Sequence, residues 1–234
     1  MGLKCINWLH CDQLRPHNLN IFELFKNLKI FKRNKKSFEL KVLATIDYIF
    51  SGSYRKISKK LSIIFEPISK STIFDCVRAF STRMAIALEP ERRDLIAVDE
   101  TCLKIQGKNV WLWTAIDVVT KELIGYHTSL SRTGLECLIF MRKVLKMCLN
   151  KPLVLADGGP WYNWVFDHLG LNKQRMTFGM RSHIENIFKL VKDRTKIFSN
   201  NFGTNKGMNR GLVCVEYFMK LFVFWYYFLG GGYV

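Results

Sequence analysis

Two short apolar runs, residues 95–98 and 153–156, each lead directly into an aspartate, Asp99 and Asp157. Apolar runs of this length bounded by turn formers read as buried strands. An acid at the end of each constrains the fold more than any other feature of the chain. Adjacent strands of one sheet lie about 4.8 Å apart, so neighbouring strands would bring the two carboxylates together. Such a pair opposes its own ionisation, because like charges at short range raise each other's pKa. A divalent cation removes the conflict, and oxygen-only ligands select hard Mg²⁺ or Mn²⁺ over zinc. Glu185, expected in the first turn of a helix over residues 181–198, completes a set of three acids.

The apolar period changes near residue 94. Beyond it, residues 110–119 and 122–130 are β-rich runs separated by Thr120-Lys121, which reads as a hairpin, and residues 107–109 supply the preceding turn. Residues 132–150 carry Leu135, Leu138, Ile139 and Leu145 at helical spacing. A strand at 153–156, a helix at 161–169, a short strand at 176–178 and the basic helix 181–198 follow. Three antiparallel strands followed by alternating helices and strands imply an α/β fold, a mixed sheet with helices on its faces. The last apolar stretch, 211–229, is long enough to span a bilayer but contains Glu216 and Lys220. Two central charges cost about 2.5–3.5 kcal/mol each there, so a buried helix is the expected structure, with no membrane partner.

Before residue 94 the pattern is helical. Val42, Ile46, Ile49 and Phe50 share one face, and Ser51-Gly52-Ser53 ends that helix and caps the next. Ile57, Leu61 and Ile64 continue until Glu66-Pro67, after which Ser69 caps a third helix. In the third helix Ile73, Cys76, Val77 and Phe80 form an inward stripe, while Ser71, Asp75 and Arg78 lie outward at i, i+4, i+7. Small polar groups and an arginine suit base edges. The arrangement is that of a helix-turn-helix, with a small helical bundle as the plain alternative. The polar stretch 89–93 marks a boundary. The expected domains are a basic segment over 1–36, a helix-turn-helix DNA-binding domain over 37–90 and a catalytic domain over 91–234.

Charge supports an anionic partner. The chain has 36 Lys+Arg and 19 Asp+Glu, 36 − 19 = +17, which points to nucleic acid first and an anionic membrane surface second. Residues 26–36 alone hold six positive charges, Lys32 and Lys36 among them. Seven cysteines without a C-x-x-C pair argue against a disulfide framework and for an intracellular protein. Cys5, His10, Cys11 and His17 are the nearest approach to a zinc cluster, but adjacent His10 and Cys11 suit a tetrahedral site poorly. No secretory leader is visible at the N-terminus.

Several blocks together resemble the DDE-class insertion-sequence transposases. Ile96-Ala97-Val98-Asp99-Glu100-Thr101 looks like the first catalytic aspartate block of that class, and residues 104–117 like the paired strands behind it. Leu155-Ala156-Asp157-Gly158-Gly159-Pro160-Trp161-Tyr162 looks like the second block. Arg181, Glu185 and Lys192 show the R-x3-E-x6-K spacing of the third, with Phe178 where tyrosine is common. The interval between Asp157 and Glu185 holds only 27 residues, implying a core without an inserted domain.

The resemblance implies a ribonuclease-H-like catalytic core, and phosphoryl transfer with two Mg²⁺ or Mn²⁺ ions roughly 3.5–4 Å apart. Asp99 would bridge both ions, and Asp157 and Glu185 would hold one each. Arg181, Lys189 and Lys192 would grip phosphates. The partners would be double-stranded DNA, as transposon ends and target, and a second copy of the chain in a dimer on paired ends, in the cytoplasm with the nucleoid. A DNA-binding regulator without activity, and a nuclease that cuts and never joins, are the rival readings. Asp117, Asp167, Asp193 and Glu100 read as bystanders, Glu100 because it should face away from Asp99. Trp161 and Tyr162 read as packing or as a platform for a flipped base.

Overall fold

Serine caps set the helix limits in the first third of the chain. The computed structural model describes residues 7–10, 20–32, 35–87, 89–105, 107–175, 181–199 and 208–228. Its N-terminal part runs β1 (Asn7–His10), α1 (Ile21–Asn27), α2 (Phe38–Ser51), α3 (Tyr54–Ile64), α4 (Lys70–Arg83) and β2 (Met84–Ala87). The hydroxyls of Ser37, Ser53 and Ser69 each accept a backbone N–H in the first turn of α2, α3 and α4. Gly52 closes α2 at φ 58°, a conformation a Cβ would strain. The stripe of Ile73, Cys76, Val77 and Phe80 is buried, and Ser71, Asp75 and Arg78 are exposed. Phe50 and Ile64, expected inside, are 50% and 60% exposed. The buried faces centre instead on Tyr48 and Ile49 in α2 and on Ile57 and Leu61 in α3.

The basic segment is more than a linker. Leu24, Phe25 and Ile30 are buried, and the Phe25 ring stacks on Phe80 at 5.3 Å. Lys36 is committed to an ion pair with Glu66 at 3.0 Å. A last helix, α8 (Met208–Phe228), is buried along most of its length, as its apolar sequence implied. No helix among the described residues is long and apolar enough to cross a membrane.

Contacts divide the chain into two compact units, Met1–Ala87 with Cys214–Val234, and Leu88–Val213. The expected range 91–234 thus differs at its C-terminal end. Phe218 packs edge-on to Tyr48 and Phe224 to Phe80, so aromatic burial draws most of α8 into the helical unit.

The other unit runs β3 (Leu95–Ile105), β4 (Lys108–Asp117), β5 (Leu123–Ser129), α5 (Gly134–Leu145), β6 (Leu153–Ala156), α6 (Pro160–Leu169), β7 (Lys173–Arg175) and α7 (Arg181–Ser199). The strands lie in the order β5-β4-β3-β6-β7, the first three antiparallel and the last two parallel to β3. This is the expected α/β architecture, a mixed sheet flanked by helices. The strand expected at 176–178 lies outside the described residues, as do Cys5, Cys11 and His17.

One expectation needs correction. Asp99 does not end its strand: β3 continues to Ile105, because a turn at Gly107, φ 74°, lets β4 pair along its whole length. Alternation along β3 then sends Ile96, Val98 and Glu100 into the core formed with α5 and α6, and Asp99 to the other face.

In the boundary stretch 89–93, residues 89–92 are exposed and Arg93 is buried. Glu91 bridges to Cys148, and Arg93 is 1% exposed, its guanidinium on Asp117 and Glu122 at 2.9 Å each and on the Met147 carbonyl at 3.1 Å.

Candidate active site

The ladder between β3 and β6 runs Leu95↔Leu153, Ile96↔Val154 and Ala97↔Leu155. Two residues beyond its last pair stand Asp99, within β3, and Asp157, just past the end of β6. Asp99 therefore stands in mid-strand and Asp157 just beyond a strand end, on neighbouring strands of one sheet.

Each carboxylate is held. Asp99 Oδ1 accepts the Glu100 backbone N–H at 2.9 Å, and Asp99 Oδ2 accepts from Lys192 Nζ at 2.6 Å. Asp157 Oδ1 accepts the Gly159 N–H at 3.1 Å, where the chain turns into α6. A cleft of about 360 Å³ opens beside Asp157, lined by Gly158, Asn163, Lys173 and Gln174 among others.

Helix α7 packs against β3. Glu185 is its fifth residue, one turn later than expected, and is exposed. Lys192 stands seven residues on, about 10 Å further along the axis. With Lys192 on Asp99, Glu185 is not gathered with the aspartates: among the described residues no three His, Cys, Asp or Glu side chains could hold one metal ion. Lys189 is exposed on the same helix. The Arg181 and His183 side chains lie outside what is described.

The residue sequence reasoning missed is Glu100. It faces away from Asp99, as alternation required, and it is buried among polar partners. Its side chain is fully buried. It accepts from the Tyr162 hydroxyl and, at 2.8 Å, from Arg132 Nε, with a second guanidinium nitrogen closing the fork. Burial pushes the Glu100 carboxyl above its ordinary pKa against the pull of Tyr162 and Arg132, and the charge of Asp157 pushes the same way. Arg132 is itself sandwiched, 3.6 Å from the Trp161 ring and 4.6 Å from Trp111. Tyr162 is buried and Trp161 occupied, so neither is a free platform for a base. The signal that could have found Glu100 was an acid in register with the apolar core positions Ile96 and Val98.

Among the described residues no cysteine is bonded to Asp99, Asp157 or Glu100. The five described ones carry free thiols, and burial pushes Cys76 and Cys137 up to about 12.

Residues 94–220, more than half of the chain, match the model of a transposase DDE domain of the IS240 type. The uncharacterized protein MJ0017 of Methanocaldococcus jannaschii is 42% identical over 197 residues, 83% of this chain and 90% of that protein. Similar solved structures include a simian T-cell lymphotropic virus intasome in complex with the PP2A regulatory subunit B56 gamma. It has 13% identity and a TM-score of 0.39 over 78% of this chain and 67% of that one. The dimeric HTLV-2 integrase catalytic core in complex with magnesium has 14% identity and a TM-score of 0.36 over 59% and 86%.

Proposed function

Because the chain belongs to the DDE domain family of transposases, whose general chemistry is DNA strand transfer, we propose that it cleaves insertion-sequence ends and joins their 3′-OH to target DNA by two-metal phosphoryl transfer. The observation that supports this reading is the β3–β6 ladder, whose last pair, Ala97↔Leu155, lies two residues before Asp99 and Asp157, together with the contact of Lys192 from α7 on Asp99.

The chemistry of the donors, rather than their present grouping, fits a hard divalent cation. All three are carboxylates, and Asp99 already attracts a positive charge, the ammonium of Lys192. Asp99, Asp157 and Glu185 would hold Mg²⁺ or Mn²⁺. When bound, such ions activate the attacking oxygen and stabilise the leaving one. Lys192 then exchanges Asp99 for a DNA phosphate, and Lys189 and Arg181 hold phosphates beside it. Two copies acting on paired ends are the proposed assembly.

The test is direct. Purified protein with Mg²⁺ or Mn²⁺ is expected to nick its own ends and transfer them to plasmid DNA, and EDTA to stop both reactions. Strand transfer in metal-free buffer would overturn the assignment, and nicking that is never followed by joining would make the protein a nuclease.

Recognition is assigned to the exposed face of α4. Arg78 is paired with Asp75 at 2.9 Å and lies over the Phe74 ring, and Ser71 shares a hydroxyl contact with Ser69 at 2.8 Å. Arg78→Ala is expected to cost about 1–3 kcal/mol on the cognate end and far less on random DNA. Lys32, exposed, is the better phosphate contact of the two lysines proposed, since Lys36 is held by Glu66. Lys32→Ala should weaken all DNA alike and flatten the salt dependence. An unchanged cognate-to-random ratio in filter binding with Arg78→Ala would remove α4 as the reader.

A further inference from the structure

We propose that Glu100, Tyr162 and Arg132 form a positioning network that fixes Asp99 and Asp157 relative to each other. The inference rests on the metal-dependent reading above and adds these residues, which touch neither DNA nor metal, to its machinery.

A continuous path of bonds joins the two carboxylates through the interior of the sheet's α5/α6 side. From Asp99 Oδ1 it passes to the Glu100 N–H at 2.9 Å, and from the Glu100 carboxylate to the Tyr162 hydroxyl. The Tyr162 N–H donates to the Gly159 carbonyl at 3.1 Å, and the Gly159 N–H donates to Asp157 Oδ1 at 3.1 Å. Each residue in the path thus touches the next. Glu100 ties mid-strand β3, next to Asp99, to the first turn of α6, which follows Asp157 directly.

Packing alone would not select these residues. Ile96 and Val98 fill the same face of β3 with apolar side chains, against Cys137, Phe140 and Phe166. A carboxylate in that row costs several kcal/mol of lost solvation unless it is matched. Arg132 matches it, and Trp111 and Trp161 hold Arg132 in place. Gly159 belongs to the same device: a Cβ there would come within 2.5 Å of the Trp161 ring, displacing the ring that clamps Arg132. What such a site achieves is directional. Hydrogen-bonded groups behind metal ligands hold their orientation, and their loss costs about 10–100-fold in metal affinity or activity.

The test is Mn²⁺ titration calorimetry on the full chain, for the wild type, Tyr162→Phe, Glu100→Gln, Arg132→Lys and Asp99→Asn, with thermal melts and end-DNA binding on the same samples. Tyr162→Phe removes one hydroxyl and keeps the ring in its stack. Arg132→Lys keeps the charge but loses the planar fork, which gives a second way in should Glu100→Gln fold poorly. The expected result is a Mn²⁺ dissociation constant raised about 10–100-fold in Tyr162→Phe and Arg132→Lys, with end binding unchanged. Folded variants that bind Mn²⁺ as the wild type does would overturn the proposal and leave the network a stabilising one. If Asp99→Asn binds Mn²⁺ as well as the wild type, the metal-site reading itself falls, and this proposal with it.

Discussion

Asp157→Asn is expected to abolish end cleavage while leaving end binding intact. The substitution keeps the shape of the side chain and its acceptor for the Gly159 N–H, so the turn into α6 persists and only the ligand charge is lost. Lewis-acid stabilisation is worth several kcal/mol, which at about 1.4 kcal/mol per tenfold is on the order of a 10³-fold loss in rate. Binding should hold or tighten, because removing a carboxylate removes its repulsion of the phosphate beside it. Nicking and gel-shift assays on one preparation check both halves. Wild-type nicking from Asp157→Asn would exclude this residue from the site, and wild-type protein that binds ends without nicking them would make the chain a regulator.

The largest stability effect is expected at Arg93. Its guanidinium lies between Asp117 and Glu122 with almost no solvent contact, and the two acids raise its pKa against the opposing effect of burial. Removing one partner of a buried ion pair strands the others without compensation, so Arg93→Met should destabilise by about 3–5 kcal/mol. The substitution also removes the guanidinium bond to the Met147 carbonyl, whereas the Arg93 main chain keeps its two bonds to the Asn150 side chain. Replacing the acids as well, in Arg93→Met/Asp117→Asn/Glu122→Gln, should recover part of the loss, since no uncompensated charge remains. Urea unfolding measures both variants. A single substitution costing under about 1 kcal/mol, the range of exposed pairs, would mean that the triad is solvated in solution.

Much of the fold was legible because its signals are local. Serine at Ser53 and Ser69 and glycine at Gly52 act on the backbone within a few residues, so helix limits could be read from them directly. Runs such as 153–156 announced strands by their own content, and the acids after or within them pointed to the chemistry proposed for the site.

What the sequence determined by itself was therefore the inventory: a basic helical part, a mixed sheet, and two acids able to meet on neighbouring strands. Partner choice was decided by the tertiary structure. That Asp99 sits in mid-strand depended on how far β4 would pair with β3, and its ion pair with Lys192 spans 93 positions of sequence. Arg93 read only as part of a polar boundary, and it was Asp117 and Glu122, 24 and 29 residues away, that enclosed it. Glu100 differed from an ordinary surface acid only by the face on which alternation placed it, and by the helix that brought Tyr162 there from 62 residues further on. Periodicity tells which side a residue faces, whereas burial and charge pairing depend on which distant element covers that side, and that is settled only when the sheet and its helices pack.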